Sequence, residues 1–297
     1  MYSYAISLSC VGPSVTQEAA KALHDSRLGQ AEIQLRDALR ETDDQRVSLD
    51  NTRELLQSGA MRSAGVHLPF AAKDGWIDPS SLDEATRRHA VKLFERLIRE
   101  NADLLAPQMT MHASMEPIPP DERKARLDQC RRSIGELLPL AKEFGFSLNV
   151  EYLPRTCLGN SPEELEYLTE PFDPRHVGIC LDVNHVMGRH GELPSIVTRL
   201  APRLRTFHLS DYDGVDEMHW FPGQGIIDWP RLMSAVRSID HDVLLIYETT
   251  WQLGVKTVCH VASPAWAVRQ VENSIWFLEN CPELMQRMNA FQIPALD

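Results

Sequence analysis

Long apolar runs are missing from this sequence of 297 residues. No run reaches the roughly 18 apolar residues that a membrane-spanning helix needs, so we expect no association with a membrane. The opening residues, MYSYAISLSC, lack the basic segment of a secretory signal peptide and alternate like a strand. We therefore expect a cytoplasmic protein.

Positive charge is scarce relative to negative charge. The chain has 30 Lys and Arg residues against 42 Asp and Glu residues, which gives a formal net charge of -12. Proteins that bind nucleic acids or anionic membranes usually present a basic face. The acidic balance therefore argues against a nucleic acid as partner.

Paired cysteines and a phosphate-binding glycine loop are also missing. The cysteines are scattered without a C-x-x-C pair, which indicates free thiols in a reducing compartment. The first predicted strand-to-helix turn, SCVGPSV, has no G-x-G-x-x-G motif, which disfavours a doubly wound dinucleotide-binding sheet. The six cysteines are Cys10, Cys130, Cys157, Cys180, Cys259 and Cys281.

What the sequence does contain is a periodic series of short apolar runs. Each run is about as long as a strand, and several are continuously apolar, as in parallel strands buried on both faces. They recur at roughly 30- to 40-residue spacing, the length of one strand–helix unit. The eight predicted strands are 4–9, 31–35, 64–68, 107–112, 147–152, 176–183, 205–210 and 243–249.

Amphipathic segments with helix-capping residues fill most of the gaps between these runs. The predicted helices include 81–102 with a Ser cap, 119–145 ending at Gly145, 161–170, 228–239 and 262–280. Eight strands that alternate with helices predict the α/β class and a (β/α)8 TIM barrel, with a doubly wound open sheet as the alternative. We predict a single domain over residues 1–297, with the barrel in about 1–255 and a C-terminal helix and tail in 256–297.

Six successive predicted strands end in side chains that can bind a metal ion. A single His or Glu at such a place is usually structural, but carboxyl ends of barrel strands converge on one mouth. Acids flanked by apolar residues are costly to bury without a partner, and a divalent cation would satisfy several of them. The residues are His67, His112, Glu151, Asp182 with His185, His208 and Glu248. Oxygen and nitrogen ligands without thiolate predict Mn²⁺, Mg²⁺, Co²⁺ or Zn²⁺.

The stretch FHLSDYDGVDEMHWFPGQGIIDW, residues 207–229, is crowded with acids and histidines. We expect His208 to reach the cation, and we expect Glu217 and His219 to fold back toward the same mouth. Gly223 and Gly225 would let the loop turn tightly over the mouth. A plain turn before the next helix is equally compatible with these glycines.

The order and spacing of these motifs resemble a known family. The stretches VHLPF, TMHAS, NVEY, CLDVNH, FHLSDYDG, EMHWFPGQGIIDW and IYET are similar to the xylose-isomerase-like, AP-endonuclease family 2 superfamily of TIM barrels. In its sugar isomerase and epimerase branch, four residues hold one divalent ion. The resemblance implies that these ligands are Glu151, Asp182, His208 and Glu248.

The same resemblance implies a reaction. Glu151 and Glu248 would move a proton next to a substrate carbonyl, through an enediolate that the metal stabilises. His185 would bind a substrate oxygen. True aldose isomerases of the xylose type use a lysine in their site, whereas the six lysines of this chain lie outside the quoted motifs, which favours proton transfer over a hydride shift.

Further residues are expected to contact the substrate. We assign His67, His112 and His219 to substrate binding, and Arg155 to an anionic substrate group. His67, His112, Glu217 and His219 would supply additional ion sites. Trp76, Trp220 and Trp251 offer indole faces for a sugar, with ordinary packing as the alternative.

Three other functions compete with a sugar isomerase or epimerase. The AP-endonuclease branch binds three zinc ions with a longer ligand set, which this chain nearly matches; Glu217 stands where that branch has Asp. The other two are a lyase or dehydratase acting on a sugar-like substrate and a non-catalytic metal-binding barrel. As partner we expect a small carbohydrate, with a homo-oligomer as the alternative to a monomer.

Overall fold

Eight parallel strands close into a barrel in the computed structural model, which describes residues 1–249, 252–253, 260–261 and 263–290. Each strand pairs with the next along the chain, and the eighth pairs with the first. The strands are β1 Tyr2–Ser7, β2 Gln30–Gln34, β3 Arg62–His67, β4 Gln108–Met111, β5 Ser147–Glu151, β6 Val177–Asp182, β7 Leu204–Leu209 and β8 Val243–Tyr247. The predicted TIM barrel and all eight predicted strands are confirmed.

Among the described residues, eight α-helices complete the repeating units. They are α1 Gln17–His24, α2 Asp43–Gln57, α3 Glu84–Glu100, α4 Arg123–Phe144, α5 Pro162–Thr169, α6 Leu193–Leu200, α7 Trp229–Arg237 and α8 Pro264–Ala290. The C-terminal helix α8 packs against α1 and α7. Within the described part of the chain, no helix is long and apolar enough to cross a membrane.

Two helices begin later than the sequence predicts. The cap of α3 is Asp83, whose carboxylate accepts from the Thr86 amide, while Ser81 accepts from the Asp83 amide in the turn before the helix. In front of α4, the carbonyls of Pro119 and Pro120 close a tight turn, which delays the helix to Arg123. These local side-chain and turn hydrogen bonds outcompeted the predicted starts.

Other helix ends follow the sequence closely. Gly145 ends α4 in the left-handed conformation at φ 74°. Ser161 and Asp228 cap α5 and α7, each through a side-chain oxygen that accepts from a backbone amide. Cys10, Cys130, Cys157, Cys180 and Cys281 are free and buried, whereas Cys259 and Trp251 lie outside the described residues.

Two irregularities in strand pairing lie close to the barrel mouth. The register of β2 against β3 shifts between Ala31 and Glu32, and that of β6 against β7 shifts between Ile179 and Cys180. A bulge changes the direction of the side chains that follow it. Each shift precedes an acidic residue of its strand, namely Glu32 in β2 and Asp182 at the end of β6.

Candidate active site

Four acidic and imidazole side chains meet at the carboxyl ends of neighbouring strands. Glu151 ends β5, Asp182 ends β6, His208 lies near the end of β7, and Glu248 follows β8. One ligand atom from each residue lies within 4.8 Å of the others. The structure thus brings together the four residues that the sequence predicts as metal ligands.

His208 lies at the centre of this group. Its Nδ1 is 3.1 Å from Glu151 Oε1 and 3.0 Å from Glu248 Oε2. Burial disfavours the imidazolium, but surrounding groups that include Glu248, Glu32 and Glu151 outweigh burial and raise the pKa of His208 well above its usual range. The surrounding carboxylates therefore favour a positive charge at the position of His208.

Glu151 links the four residues to two further histidines. Its Oε2 is 3.2 Å from His67 Nε2 and 3.0 Å from His112 Nε2. Burial favours the neutral acid, yet His112 and His208 hold the pKa of Glu151 well below its usual range. For His67, burial works against the charge, but Glu151 raises the pKa to about 9. His67 and His112 therefore lie beside the candidate ligands, as the sequence predicts.

Asp182 provides a direct test of whether a cation fits here. Its Oδ1 accepts hydrogen bonds from the amides of Asn184 and His185, at 2.8 and 3.2 Å. Its Oδ2 is buried and has no hydrogen-bond partner among the residues that the structure describes. Burial raises the pKa of Asp182. Because an unsatisfied buried oxygen is costly, a divalent cation among three carboxylates and one imidazole fits this group.

The crowded loop after β7 divides into a structural part and a part that faces the mouth. The buried Asp211 carboxylate accepts from the amides of Gly223 and Ile227, at 2.7 and 3.1 Å, and from Trp229 Nε1 at 2.8 Å. A Cβ on Gly225 would lie 2.2 Å from the Tyr212 carbonyl oxygen. Asp211 therefore folds the loop, and only glycine fits where the chain passes it.

His219 and Glu217 are the loop residues that return to the site. His219 has a φ of 49°, and its Nδ1 lies 3.0 Å from the Glu248 carbonyl oxygen. It forms a potential metal-binding group with Asp182 and His185. Glu217 Oε2 is buried and 3.6 Å from His185 Nε2. The predicted return of this loop to the mouth is therefore observed.

Arg155 is held by protein carboxylates. Its guanidinium lies 2.6 Å from Glu116, 3.1 Å from Asp216 and 3.0 Å from Glu217. These ion pairs join the loop after β5 to two other loops at the mouth. The predicted role of Arg155 in binding an anionic substrate group stays a prediction, and the observed contacts assign it a role in holding loops together.

A cavity of about 270 Å³ opens above the candidate ligands. Glu151, His185, His219 and Glu248 line it, and Phe70 and Met115 add apolar surface. The Phe70 ring stacks on His112 with ring centroids 4.6 Å apart. Trp76 is 60% exposed in a short hairpin and, like Trp220, is not part of the cavity wall, so neither supplies the predicted indole face there.

The family model described as xylose isomerase-like TIM barrel matches residues 26–290. The chain belongs to this family. Among curated proteins, an uncharacterized protein of Methanocaldococcus jannaschii is 23% identical over 188 residues, which are 62% of this chain and 63% of that protein. The chain thus matches less than two thirds of the length of that relative.

Solved structures of similar fold include two of particular interest. A D-psicose 3-epimerase from Clostridium cellulolyticum H10, solved with D-tagatose, has a TM-score of 0.73 at 15% identity, over 94% of this chain and 99% of that chain. The IOLI protein with a bound zinc atom has a TM-score of 0.68 at 14% identity, over 93% and 98% of the two chains. At these identities the likeness shows a shared fold.

One site residue of this xylose isomerase-like barrel is missed by the sequence reasoning. Glu32 on β2 is buried, and its Oε1 lies 3.1 Å from His208 Nε2. The signal was present in AEIQL, residues 31–35, where an acid interrupts an apolar run just as Glu151 does in NVEY. Glu32 lies two places before the end of β2, so a pattern of metal-binding residues at strand ends does not include it.

Proposed function

We propose that this protein is a metal-dependent sugar epimerase or isomerase. The observation that carries the proposal is the convergence of Glu151, Asp182, His208 and Glu248 beneath a cavity, with Asp182 Oδ2 lacking a hydrogen-bond partner among the described residues. Family membership and the shared fold with a D-psicose 3-epimerase support it. The neighbouring loops supply polar groups suited to a sugar.

The four residues would hold one divalent ion, namely Mn²⁺, Mg²⁺, Co²⁺ or Zn²⁺. Three carboxylates and one imidazole suit these ions. The zinc atom bound by the IOLI protein supports a metal on this fold. When bound, the ion would stabilise the negative charge that develops on substrate oxygens as a proton leaves the adjacent carbon.

Glu151 and Glu248 would carry the proton. One glutamate removes it from the carbon next to the substrate carbonyl, and the other returns a proton to the opposite face, which inverts that carbon. Both carboxylates lie close to His208 Nδ1, and Glu151 is almost fully buried. The proton that is delivered to the opposite face therefore comes from the second glutamate and ultimately from water.

The remaining histidines would bind and orient the substrate. His185, His112, His67 and His219 lie around the same cavity, and His185 Nδ1 is 3.0 Å from the Tyr152 carbonyl oxygen. The Nε2 of His185 lies 3.6 Å from Asp182 Oδ2 and from Glu217 Oε2, which favours a proton on Nε2 that His185 would donate to a substrate oxygen. The cavity of about 270 Å³ is consistent with a monosaccharide.

Incubation with ketohexoses such as D-psicose and D-tagatose tests this function. We expect the metal-loaded protein to form the epimer at the carbon next to the carbonyl, as measured by NMR of the sugar. Glu151→Gln and Glu248→Gln should each lower turnover by at least about 100-fold, since each removes a proton-transfer group. Glu18→Gln, a matched change at an exposed acid on α1, should leave turnover unchanged.

A zinc phosphodiesterase of the AP-endonuclease branch is the second candidate. Two further groups favour it, because His67, His112 and Glu151 form one and Asp182, His185 and His219 form another. Cleavage of a duplex with an abasic site, by protein that carries about three zinc ions, would support this candidate. Against it stands the net charge of -12.

Two other outcomes of the incubation with sugars would indicate a different function. Loss of a hydroxyl group after proton removal would identify a lyase or dehydratase that uses the same two glutamates. Metal binding without turnover of any sugar or abasic duplex would indicate a non-catalytic metal-binding barrel.

A further inference from the structure

Glu32 is a carboxylate buried inside the barrel beside the candidate metal ligands. Both Glu32 and His208 are 0% exposed, and Glu32 Oε1 lies 3.1 Å from His208 Nε2. The other ring nitrogen, Nδ1, faces Glu151 and Glu248. His208 therefore has one nitrogen turned toward the candidate ligands and the other turned toward Glu32.

The backbone of β2 and β3 leaves room for the Glu32 side chain. The pairing of β2 with β3 shifts register between Ala31 and Glu32. Across the pair, Gly65 has no side chain, and a Cβ there would lie 3.4 Å from Glu32 Cγ. The register shift and the glycine thus lie where the strand accommodates the Glu32 side chain.

Glu32 has few partners for its buried carboxylate. In the described part of the chain, Glu32 forms hydrogen bonds with His208 and, through Oε2 at a longer 3.4 Å, with the side-chain amide of Gln34. No Lys or Arg of the described residues forms an ion pair with it. Burying an ionised carboxylate costs several kcal/mol in general, so packing alone gives no reason for an acid here.

We propose that Glu32 is a positioning residue that prepares His208 to bind the metal. With a proton on Nε2 donated to Glu32, the lone pair of Nδ1 points toward Glu151 and Glu248, where the ion would lie. Metal-binding histidines commonly donate their second nitrogen to a carboxylate in this way, which fixes both the tautomer and the ring orientation. This inference rests on the metal site of the proposed function.

Metal affinity measures this role without any need for the sugar substrate. We expect Glu32→Gln to weaken Zn²⁺ or Mn²⁺ binding by about 10- to 100-fold, the usual effect of losing such a partner, in competition with a chromogenic chelator. Asp37→Asn is the matched control, because Asp37 is a buried acid of the same region that pairs with Ser48 and Arg36 rather than with a ligand. It should leave metal affinity unchanged.

The stability gained from metal separates positioning from structural support. Glu32→Gln removes one partner of the buried contact with His208, so a lower unfolding temperature of the metal-free variant is expected in either case. If Glu32 positions His208, the rise in unfolding temperature on adding metal should also be smaller in the variant than in the wild type. A large fall in the unfolding temperature of the metal-free variant, with unchanged metal affinity, would overturn the proposal in favour of a structural role.

Nitrogen-15 NMR of the zinc-loaded wild type provides a test that needs no variant of Glu32. The resonances of His208, assigned with His208→Gln, should show the proton on Nε2 and the metal on Nδ1. A metal on Nε2, a proton on Nδ1, or a wild type that binds neither ion would overturn the proposal. If the protein turns over no sugar but Glu32→Gln still weakens metal binding, the proposed function is wrong and the role of Glu32 stands.

Discussion

At the scale of single residues, the two buried aspartates Asp182 and Asp211 serve different purposes. Both are 0% exposed. Asp211 uses both oxygens to accept hydrogen bonds from its own loop, whereas Asp182 Oδ2 has no such partner in the described part of the chain. One carboxylate is satisfied by the protein, and the other fits a cation.

This contrast predicts opposite results for the same substitution. Asp182→Asn should lower bound divalent metal markedly with the fold retained, as should Glu151→Gln, because each removes a charged ligand. Asp211→Asn should retain the metal but destabilise the protein by about 1–3 kcal/mol, since an Asn NH₂ cannot accept from the loop amides. Metal analysis and thermal unfolding of the variants measure both. Wild-type metal content in Asp182→Asn and Glu151→Gln would show that the ligand assignment is wrong.

His219 distinguishes a one-metal sugar enzyme from a protein that binds several ions. Its ring lies beside His185, and its ligand atom lies within 4.8 Å of those of His185 and Asp182. For a sugar epimerase, His219→Ala should impair turnover or substrate binding and leave about one ion bound. For a zinc phosphodiesterase the same variant should itself lose an ion, because His219 would be a ligand. If His219→Ala changes neither the metal content nor the kinetics, the loop has no role at the site beyond forming a turn.

At the scale of elements, the loop after β7 depends on a close backbone contact at Gly225. A Cβ there would meet the Tyr212 carbonyl oxygen at 2.2 Å and Asp211 Oδ1 at 2.6 Å. We expect Gly225→Ala to destabilise the protein by about 2 kcal/mol or more and to raise KM for the sugar, because the loop that carries His219 must shift. Gly191→Ala is the control, since a Cβ there would meet nothing within 4 Å. Equal unfolding temperatures for the two variants would contradict this account of the loop.

The strands and the larger set of metal-binding residues at their ends could be predicted from the sequence for a physical reason, whereas the choice of the four candidate ligands within that set came from the family resemblance. Parallel strands buried on both faces appear as apolar runs, and a polar residue that ends such a run lies at the barrel mouth. Glu32 was missed because it lies inside its run. The partners of Arg155 could not be predicted, since Asp216 and Glu217 are 61 and 62 residues away along the chain and meet it only through loop folding.

Helix starts were the least predictable part of the elements. Ser81 has the composition of a helix cap, but its hydroxyl oxygen accepts from the amide of Asp83, which is the residue that caps α3. Either residue satisfies the sequence pattern equally well.

At the scale of the whole molecule, a bound metal should stabilise the fold. Several buried acids and histidines surround the site, and an ion that binds only the folded state adds to the free energy of unfolding. At about 100-fold excess over the Kd, we expect about 3 kcal/mol of added stability, measured as a higher unfolding temperature with metal than with chelator. An unfolding temperature that does not respond to Mn²⁺, Mg²⁺, Co²⁺ or Zn²⁺ would contradict a metal site at the barrel mouth.

Proton transfer at a carbon next to a carbonyl is the central claim, and deuterium exchange measures it most directly. The metal-loaded protein is incubated in deuterated water with D-psicose or D-tagatose, and the sugar is examined by NMR and mass spectrometry. We predict one carbon-bound deuterium next to the carbonyl, none with Glu151→Gln, and normal exchange with Glu18→Gln. Formation of the epimer without deuterium in the sugar, or deuterium incorporation that persists when both Glu151 and Glu248 are replaced by Gln, would contradict the account.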